Sequence, residues 1–381
     1  MTQAKPTAIV GLGYVGLPLA QAAVNVGIRI IGFDINERAV AQLSSGKSPI
    51  SDIDDDGIAA MLGKGFEPTS DASRLGECDT FIICVPTPLS DDQGPDLAAV
   101  KSAARSLVPH LAVNDLVVLE STTYPGTTEE VVGPILAESG LDVPTQVKLA
   151  FSPERVDPGN ATYGITNTPK VVGGLDEESS QAAYDFYARF CDTVVIAKGA
   201  REAELAKLLE NTYRHVNIAL INELAVLSHE LEIDVWDAIR CAATKPFGFQ
   251  AFYPGPGVGG HCIPIDPNYL SHHVRSRLGH TFRFIELAQD SDTAMPGYVC
   301  RRLQDLLNEH AKPMRGSRIV VVGVTYKANI ADSRESPSLP IARTLQTMGA
   351  ELSYWDPYVD HWTVNDHSVP RVDNLEAGIA R

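Results

Sequence analysis

Cys262 stands in Gly257-Val-Gly-Gly-His-Cys-Ile-Pro-Ile-Asp-Pro267, a glycine-rich polar run that sets it apart from the other five cysteines. Its thiolate would be a nucleophile, and a free thiol needs only a modest fall from a pKa of ~8.5 to ionise at neutral pH. Cys84 sits in the apolar run Phe81-Ile-Ile-Cys-Val85 and is expected in a core, while Cys241 and Cys300 fall in helix-like stretches and are expected to pack. No Cys-x-x-Cys pair occurs, so neither a disulfide framework nor a zinc site is expected, and no cluster with metal-ligand spacing is present. Far upstream lies Gly11-Leu-Gly-Tyr-Val-Gly16, between an apolar strand at 7–10 and a small-residue helix reaching about Val26. A second strand follows and ends at Asp34.

Strand, glycine turn, helix, strand, acid is the dinucleotide-binding fingerprint. The glycines would serve the tight turn, the approach of backbone to a pyrophosphate, and the packing of helix on strand, with the diphosphate on the helix N-terminus. Gly11, Gly13, Tyr14, Val15 and Gly16 are therefore expected against the cofactor. Asp34 would accept hydrogen bonds from ribose hydroxyls and repel a 2′-phosphate, which favours NAD over NADP. A nicotinamide site removes hydride from an alcohol. A thiolate beside the product can capture the aldehyde, so that a second hydride leaves and a thioester forms. The pair of motifs points to oxidation of an alcohol to an acid in one site.

Other residues must be brought to that site. Strands predicted at 80–85 and 116–120 end in Pro86-Thr87-Pro88 and Ser121-Thr-Thr-Tyr-Pro125. Ligands of open parallel sheets bind at the carboxyl ends of strands, so Pro86, Thr87 and Thr122 should border the cofactor. A helix from near Arg201 to about Leu231 puts Lys207 and Asn211 on one face, an ammonium beside an amide. Leu205, Leu208, Leu209, Val216, Leu220 and Leu224 give the same helix an apolar stripe. Its length of ~45 Å suits a connector between domains and a homodimer interface.

The 381 residues suffice for two or three domains. The fold class expected is α/β: an N-terminal Rossmann domain at 1–198, a central helical domain at 199–310 carrying Cys262, and a shortened Rossmann-like domain at 315–381. The acidic run 51–56 reads as a solvated loop. A formal charge of −17 with no basic stripe argues against nucleic-acid binding. No apolar run reaches the ~18 residues of a membrane span, and the N-terminus carries no signal segment, so a cytoplasmic location is expected.

Six stretches occur in a set order: Gly11 to Ala20, Glu120-Ser-Thr-Thr-Tyr-Pro-Gly126, Phe151-Ser-Pro-Glu-Arg155, Lys207 with Asn211, Gly257 to Pro267, and Gly323-Val-Thr-Tyr-Lys327 with Asp332-Ser-Arg334. In these the chain resembles the nucleotide-sugar 6-dehydrogenases of the UDP-glucose/GDP-mannose dehydrogenase family, over nearly its whole length. The resemblance implies a UDP-sugar substrate, two NAD per turnover, and Cys262 as nucleophile. It gives Lys207 and Asn211 the oxyanion and water-positioning roles. Asp266 with Thr122 would orient a water for proton transfer, and Glu154 would be the base of thioester hydrolysis. Arg155 and Gly259 would border the sugar nucleotide, and Lys327 and Arg334 the ligands' pyrophosphates, the second on the cofactor side. Thr244-Lys-Pro-Phe-Gly-Phe249 and Ser152-Pro-Glu-Arg-Val-Asp-Pro-Gly159 are similar to members acting on UDP-N-acetylglucosamine or its epimers, for surface polysaccharide. UDP-glucose enzymes carry a second acid four residues after the first, where this chain has Pro158. Relatives continue for several strands beyond the position of Trp355-Asp-Pro357, so the last domain is expected to be partial. Three alternatives stay open: a UDP-glucose 6-dehydrogenase, a two-electron hydroxyacid dehydrogenase, and an NAD-binding but inactive homologue.

Overall fold

The computed structural model describes residues 5–50, 52–90, 94–157, 160, 162–260, 263 and 266–376. They divide into two compact units, at 1–209 and 210–381.

The first unit is built on short apolar strands: β1 (Thr7–Val10), β2 (Ile30–Phe33), β3 (Phe66–Thr69), β4 (Thr80–Ile83), β5 (Leu116–Leu119), β6 (Lys148–Phe151), β7 (Lys170–Gly174) and β8 (Val194–Ile196). They form one sheet in the order β3-β2-β1-β4-β5-β6-β7-β8, parallel except where β6 meets β7. The helices are α1 (Gly16–Asn25), α2 (Glu37–Ser44), α3 (Asp55–Gly63), α4 (Ala98–Leu107), the short α5 (Gly133–Leu136) and α6 (Glu177–Tyr187). Helices on both faces explain why the strands read as continuous apolar runs. The period-two alternation of side chains then divides the core. Ile9, Ile30, Ile82 and Val118 pack in one cluster, while Ala8, Val10, Phe81 and Leu119 pack in the other.

The strand order reverses between β1 and β4, which creates the crevice where ligands of such sheets bind. Helix starts are fixed by caps: the Asn36, Asp54 and Asp176 side chains accept from Ala39, Gly57 and Ser179 N–H at the heads of α2, α3 and α6. The acidic run is therefore a turn at 52–54, its acids exposed, that leads into a helix start at Asp55 and Asp56, where a solvated loop alone was expected. Asp54 is the cap, and Asp55 and Asp56 favour the positive end of α3.

Helix α7 (Ala200–Glu230) runs without a break from the first unit into the second. The second unit continues with α8 (Val235–Ala242), α9 (Asp266–Leu278), α10 (Arg283–Glu309) and α11 (Ser338–Thr347). Strands β9 (Arg318–Val322) and β10 (Glu351–Trp355) pair in parallel, and a small antiparallel pair follows, β11 (Thr363–Val364) with β12 (His367–Ser368). Val324, Ala342, Tyr354 and Trp362 make the core of this last part.

One packing expectation is corrected: Cys241 is exposed on α8, whereas Cys84 and Cys300 are buried as expected. The leucine stripe of α7 is largely at the surface, with Leu205, Leu209, Leu220 and Leu224 exposed and Leu208 alone of the leucines fully buried. The buried face of α7 is instead polar: Glu204, Lys207, Asn211, His215 and Asn222.

Candidate active site

The nucleotide end of the site grows from the turn after β1. Gly11 has φ +99, and a Cβ there would stand 2.6 Å from the Cys84 carbonyl oxygen, so only glycine lets the turn pass the end of β4. A Cβ at Gly16 would stand 1.9 Å from the Gly11 carbonyl oxygen, where α1 packs on the turn. A Cβ at Gly13 would meet nothing within 4 Å. This is the division of labour the fingerprint requires, with space left for a pyrophosphate at the middle glycine. No side chain caps α1 and its first turn has no acid, so its N-terminal amides suit an anion. Asp34 accepts from Leu12 N–H at 2.8 Å and from Asn36 N–H at 2.8 Å, which ties the acid after β2 to the glycine turn. Tyr14 and Pro86 are exposed, and Val15 and Thr87 half-buried. These residues fit NAD.

The reaction residues of the first unit lie on loops after β5 and β6. Thr122 is half-buried. The loop is rooted by Ser121 Oγ, which donates to the Val85 carbonyl at 2.7 Å. Lys207 is buried and its Nζ donates to the Glu154 carbonyl oxygen. The Glu154 carboxylate is half-buried and accepts from Val156 N–H. Arg155 Nη1 donates to the Pro169 carbonyl at 2.6 Å.

In the second unit Asn211 Nδ2 donates to the Asp266 carboxylate, and Asp266 is buried as the first residue of α9. His261, Cys262, Pro264 and Ile265 lie outside the described residues, so the predicted nucleophile is known by sequence position alone. Gly259 and Gly260 are filled by protein neighbours: a Cβ would meet the Glu335 carbonyl oxygen at 2.6 Å and the Tyr326 ring at 2.8 Å respectively. Close packing on the 326–337 segment is therefore one reason for glycine at these two positions. Lys327 is half-buried. Arg334 forks onto Asp332 at 2.9 and 2.7 Å, so its charge is partnered within its own turn.

Sequence reading missed three buried groups. Glu204, one turn before Lys207, accepts from Gly126 N–H at 2.6 Å, Thr128 N–H at 2.8 Å and Thr128 Oγ1 at 2.7 Å, and so clamps the end of the Thr122 loop to α7. Burial pushes its carboxyl up to about 7 against these three donors. Asp292 lies 3.1 Å from His215 Nε2 and accepts from Asn222 at 2.8 Å, and Asn222 in turn accepts from Gly255 N–H at 2.9 Å. The third group is Glu120, Lys170 and Tyr187, beneath the Glu154 loop. Only the i, i+3 spacing of Glu204 to Lys207 could have signalled any of these.

A sheet with its crevice at β1/β4, an open middle glycine and an acid after β2 define a Rossmann-type NAD-dependent oxidoreductase. Matches to known proteins narrow this. The NAD binding domain, central domain and UDP binding domain models of the UDP-glucose/GDP-mannose dehydrogenase family match residues 5–191, 201–294 and 320–381. A UDP-N-acetyl-D-mannosamine dehydrogenase of Methanococcus maripaludis is 35% identical over 363 residues, 93% of this chain and 80% of that protein. A UDP-N-acetyl-D-glucosamine 6-dehydrogenase of Pseudomonas aeruginosa is 36% identical over 92% of this chain and 82% of that one. The solved UDP-D-ManNAc dehydrogenase of Pyrococcus horikoshii superposes with a TM-score of 0.90 at 33% identity, covering 98% of this chain and 86% of that one. The chain belongs to the UDP-glucose/GDP-mannose dehydrogenase family and is an NAD-dependent nucleotide-sugar dehydrogenase acting on a CH–OH group.

Two outcomes follow from the geometry. Gly13→Val should leave the melting temperature nearly unchanged while weakening NAD binding about tenfold or more, about 1.4 kcal/mol, by calorimetry. Gly16→Val should instead fail to fold, so equal behaviour of the two variants would contradict these glycine roles. The Glu204 carboxyl titrates higher folded than unfolded, so the stability it contributes is full below its unfolded pKa near 4.5 and is lost as pH rises through about 7. Chemical denaturation at pH 5 and pH 8 should therefore show wild type losing about 3 kcal/mol relative to Glu204→Gln, and parallel curves would refute it.

Proposed function

We propose that this protein oxidises the 6-hydroxyl of a UDP-N-acetylhexosamine to a carboxylate in two successive two-electron steps, using two NAD. UDP-N-acetylglucosamine or its 2-epimer is the substrate we favour. The observation that carries the reading is the hydrogen bond from Asn211 to Asp266, which joins the reactive face of α7 to the residue four positions after Cys262. The names of the similar proteins support the 2-acetamido sugar.

Thr122 and Asp266 hold the water that takes the proton from the 6-hydroxyl. The glycine turn and Asp34 would hold NAD, which would supply an acceptor for the C6 hydride. The Cys262 thiolate adds to the aldehyde carbon, and the Lys207 ammonium and Asn211 amide stabilise the oxyanion that forms. Loss of the remaining C6 hydride, for which a second NAD would be the acceptor, then turns the oxyanion into a carbonyl and the adduct into a thioester. Glu154 takes a proton from water as it attacks the thioester, and cleavage of the C–S bond releases the acid and restores the thiolate. A two-electron hydroxyacid dehydrogenase would need no cysteine and would stop after one oxidation.

The remaining parts of the reading concern setting. Arg155, Gly259 and Lys327 border the UDP-sugar, and Arg334 the cofactor. The domains run 1–198, 199–310 and 315–381. Among the described residues no helix is long and apolar enough to cross a membrane, and we place the enzyme in the cytoplasm, where it makes uronic acids for surface polysaccharide. Leu220, Leu224, Leu227 and Leu231 of α7 and its end are 42–68% exposed, and we assign this stripe to a second copy of the chain.

Incubation with a limiting amount of each of UDP-N-acetylglucosamine, its manno and galacto epimers and UDP-glucose should yield two NADH per molecule with an acetamido sugar. Two NADH from UDP-glucose alone would reverse the substrate order, and turnover of none would favour an inactive NAD-binding homologue. Cys262→Ser should make no uronate, and undiminished four-electron turnover would remove the cysteine from the mechanism. Light scattering should report a dimer that Leu220→Arg with Leu224→Arg converts to monomer, whereas a monomeric wild type would overturn the homodimer.

A further inference from the structure

The polar face of α7 ties the segment around Cys262 at two points. Asn211 Nδ2 donates to the carboxylate of Asp266, which lies beyond Cys262 in sequence. Asn222 Oδ1 accepts from the N–H of Gly255, which lies before it, at 2.9 Å. The two asparagines stand three helical turns apart, so they share one face and are about 16 Å from each other along the axis. Gly255 and Asp266 are separated by the same number of residues, yet a chain of that length could reach about 36–40 Å. Two anchors alone therefore leave slack, and further contacts must take it up.

Asn222 suits the first anchor for a reason visible in the sequence. Pro254 and Pro256 carry no amide hydrogen, so Gly255 N–H is the only backbone donor of 254–256. Asn222 is fully buried, and its Nδ2 donates to Asp292 Oδ1 on α10 at 2.8 Å. A backbone N–H only donates and the Asp292 oxygen accepts, so the two partners admit one orientation of the amide. Behind them His215 Nε2 stands 3.1 Å from Asp292 Oδ2 without the alignment of a hydrogen bond. The backbone of Asp292 meets the loop as well. Pro296, one turn further along α10, has no N–H to take the helical bond from the Asp292 carbonyl. A Cβ at Gly257 would lie 3.1 Å from that carbonyl oxygen, and Gly257 has φ +122, so both space and backbone favour glycine there. Gly260 N–H then donates to the Glu335 carbonyl at 3.3 Å.

We propose that Asn222, oriented by Asp292, is a positioning residue for the nucleophile: it sets where the 255–260 loop begins, as Asn211 sets the far end at Asp266. This rests on the role proposed above for Cys262, two positions beyond Gly260. Asn222 acts through the backbone of Gly255, so its loss should slow the chemistry more than it weakens binding. Releasing Gly255 returns slack to the chain before Cys262, and a misplacement of about 1 Å can cost a factor of about 10² in rate.

The test compares two double variants of the full-length protein, each designed to leave no buried pair half satisfied. Asn222→Leu with Asp292→Leu removes the acceptor of Gly255 and replaces both polar partners by apolar ones. Asn222→Asp with Asp292→Asn keeps size and net charge, and position 222 still accepts from Gly255. Exchange of the Gly255 amide hydrogen is followed by mass spectrometry, where the flanking prolines isolate it, alongside kcat and KM of the two-step oxidation. The apolar pair should speed that exchange and lower kcat by about tenfold or more, with KM for nucleotide sugar and NAD within about twofold of wild type. The polar exchange should leave all of these near wild type. Faster Gly255 exchange with unchanged kcat, a change in KM alone, an apolar pair that cannot fold, or a polar exchange that is unfolded or as slow as the apolar pair overturns the proposal. Cys262→Ser is assayed beside them: four-electron turnover in that variant removes the proposed function instead, while Gly255 exchange still decides whether Asn222 anchors the loop.

Discussion

Much of this structure follows from the partners that the buried polar face of α7 requires, which are met at Glu204, Lys207, Asn211 and Asn222 though not at Thr212 Oγ1 or the His215 ring nitrogens. Glu204, Lys207, Asn211, His215 and Asn222 all turn inward along Ala200–Glu230. A buried polar group left without a partner costs about 1–3 kcal/mol, and more when charged. The chain meets this constraint with loops. Gly126 and Thr128 satisfy Glu204, the Glu154 carbonyl satisfies Lys207, and Asp266 satisfies Asn211. Each of those partners belongs to a segment that carries, or adjoins, a residue assigned to chemistry. Stability and site assembly thus depend on the same hydrogen bonds.

How much was legible from sequence follows from the range of each interaction. The glycine turn, Asp34 and the 31 residues of α7 were readable because each is a local pattern: a fixed spacing, a strand-to-helix transition, a sustained helical period. The placement of Lys207 and Asn211 on one face came from the same periodicity. Glu120 and Glu204 were not readable, because their partners lie 67 and 76–78 residues away and no local rule announces such a pairing. The leucine stripe was legible as a pattern but not in its surroundings. Periodicity locates an apolar face but does not say what covers it, and here the inward face holds ions and amides. The glycines near Cys262 were readable as points of close approach, but glycine does not name the approaching atom, which at Gly260 belongs to Tyr326.

Charge shows the same economy. The chain carries a formal charge of −17, yet Lys170 and Lys207 are both buried in the first unit. A buried ammonium survives only where acceptors surround it. Lys170 has a carboxylate and Lys207 a carbonyl, so the two sites differ in net charge by about one unit. Lys207 donates to a neutral carbonyl, which suits the oxyanion role proposed for it. Lys170 is paired with Glu120. Two similar side chains on the acidic protein thus have opposite electrostatic consequences, decided by whether the nearest acceptor is ionised.

The glycine loop of the second unit is shaped in the same way. Gly255 N–H is held by Asn222, Asn222 by Asp292, and Asp292 stands against His215, while Gly257 lies under the Asp292 carbonyl. Gly259 and Gly260 close onto Glu335 and Tyr326. These contacts are all within protein and hold the loop as far as Gly260. A loop ordered in advance costs less to order on binding, which would favour the nucleophile role proposed for the residue that follows it in sequence. Truncating Asn222 or Tyr326 would act on that preorganisation without removing any group that touches substrate, which separates the geometry of the loop from the chemistry it serves.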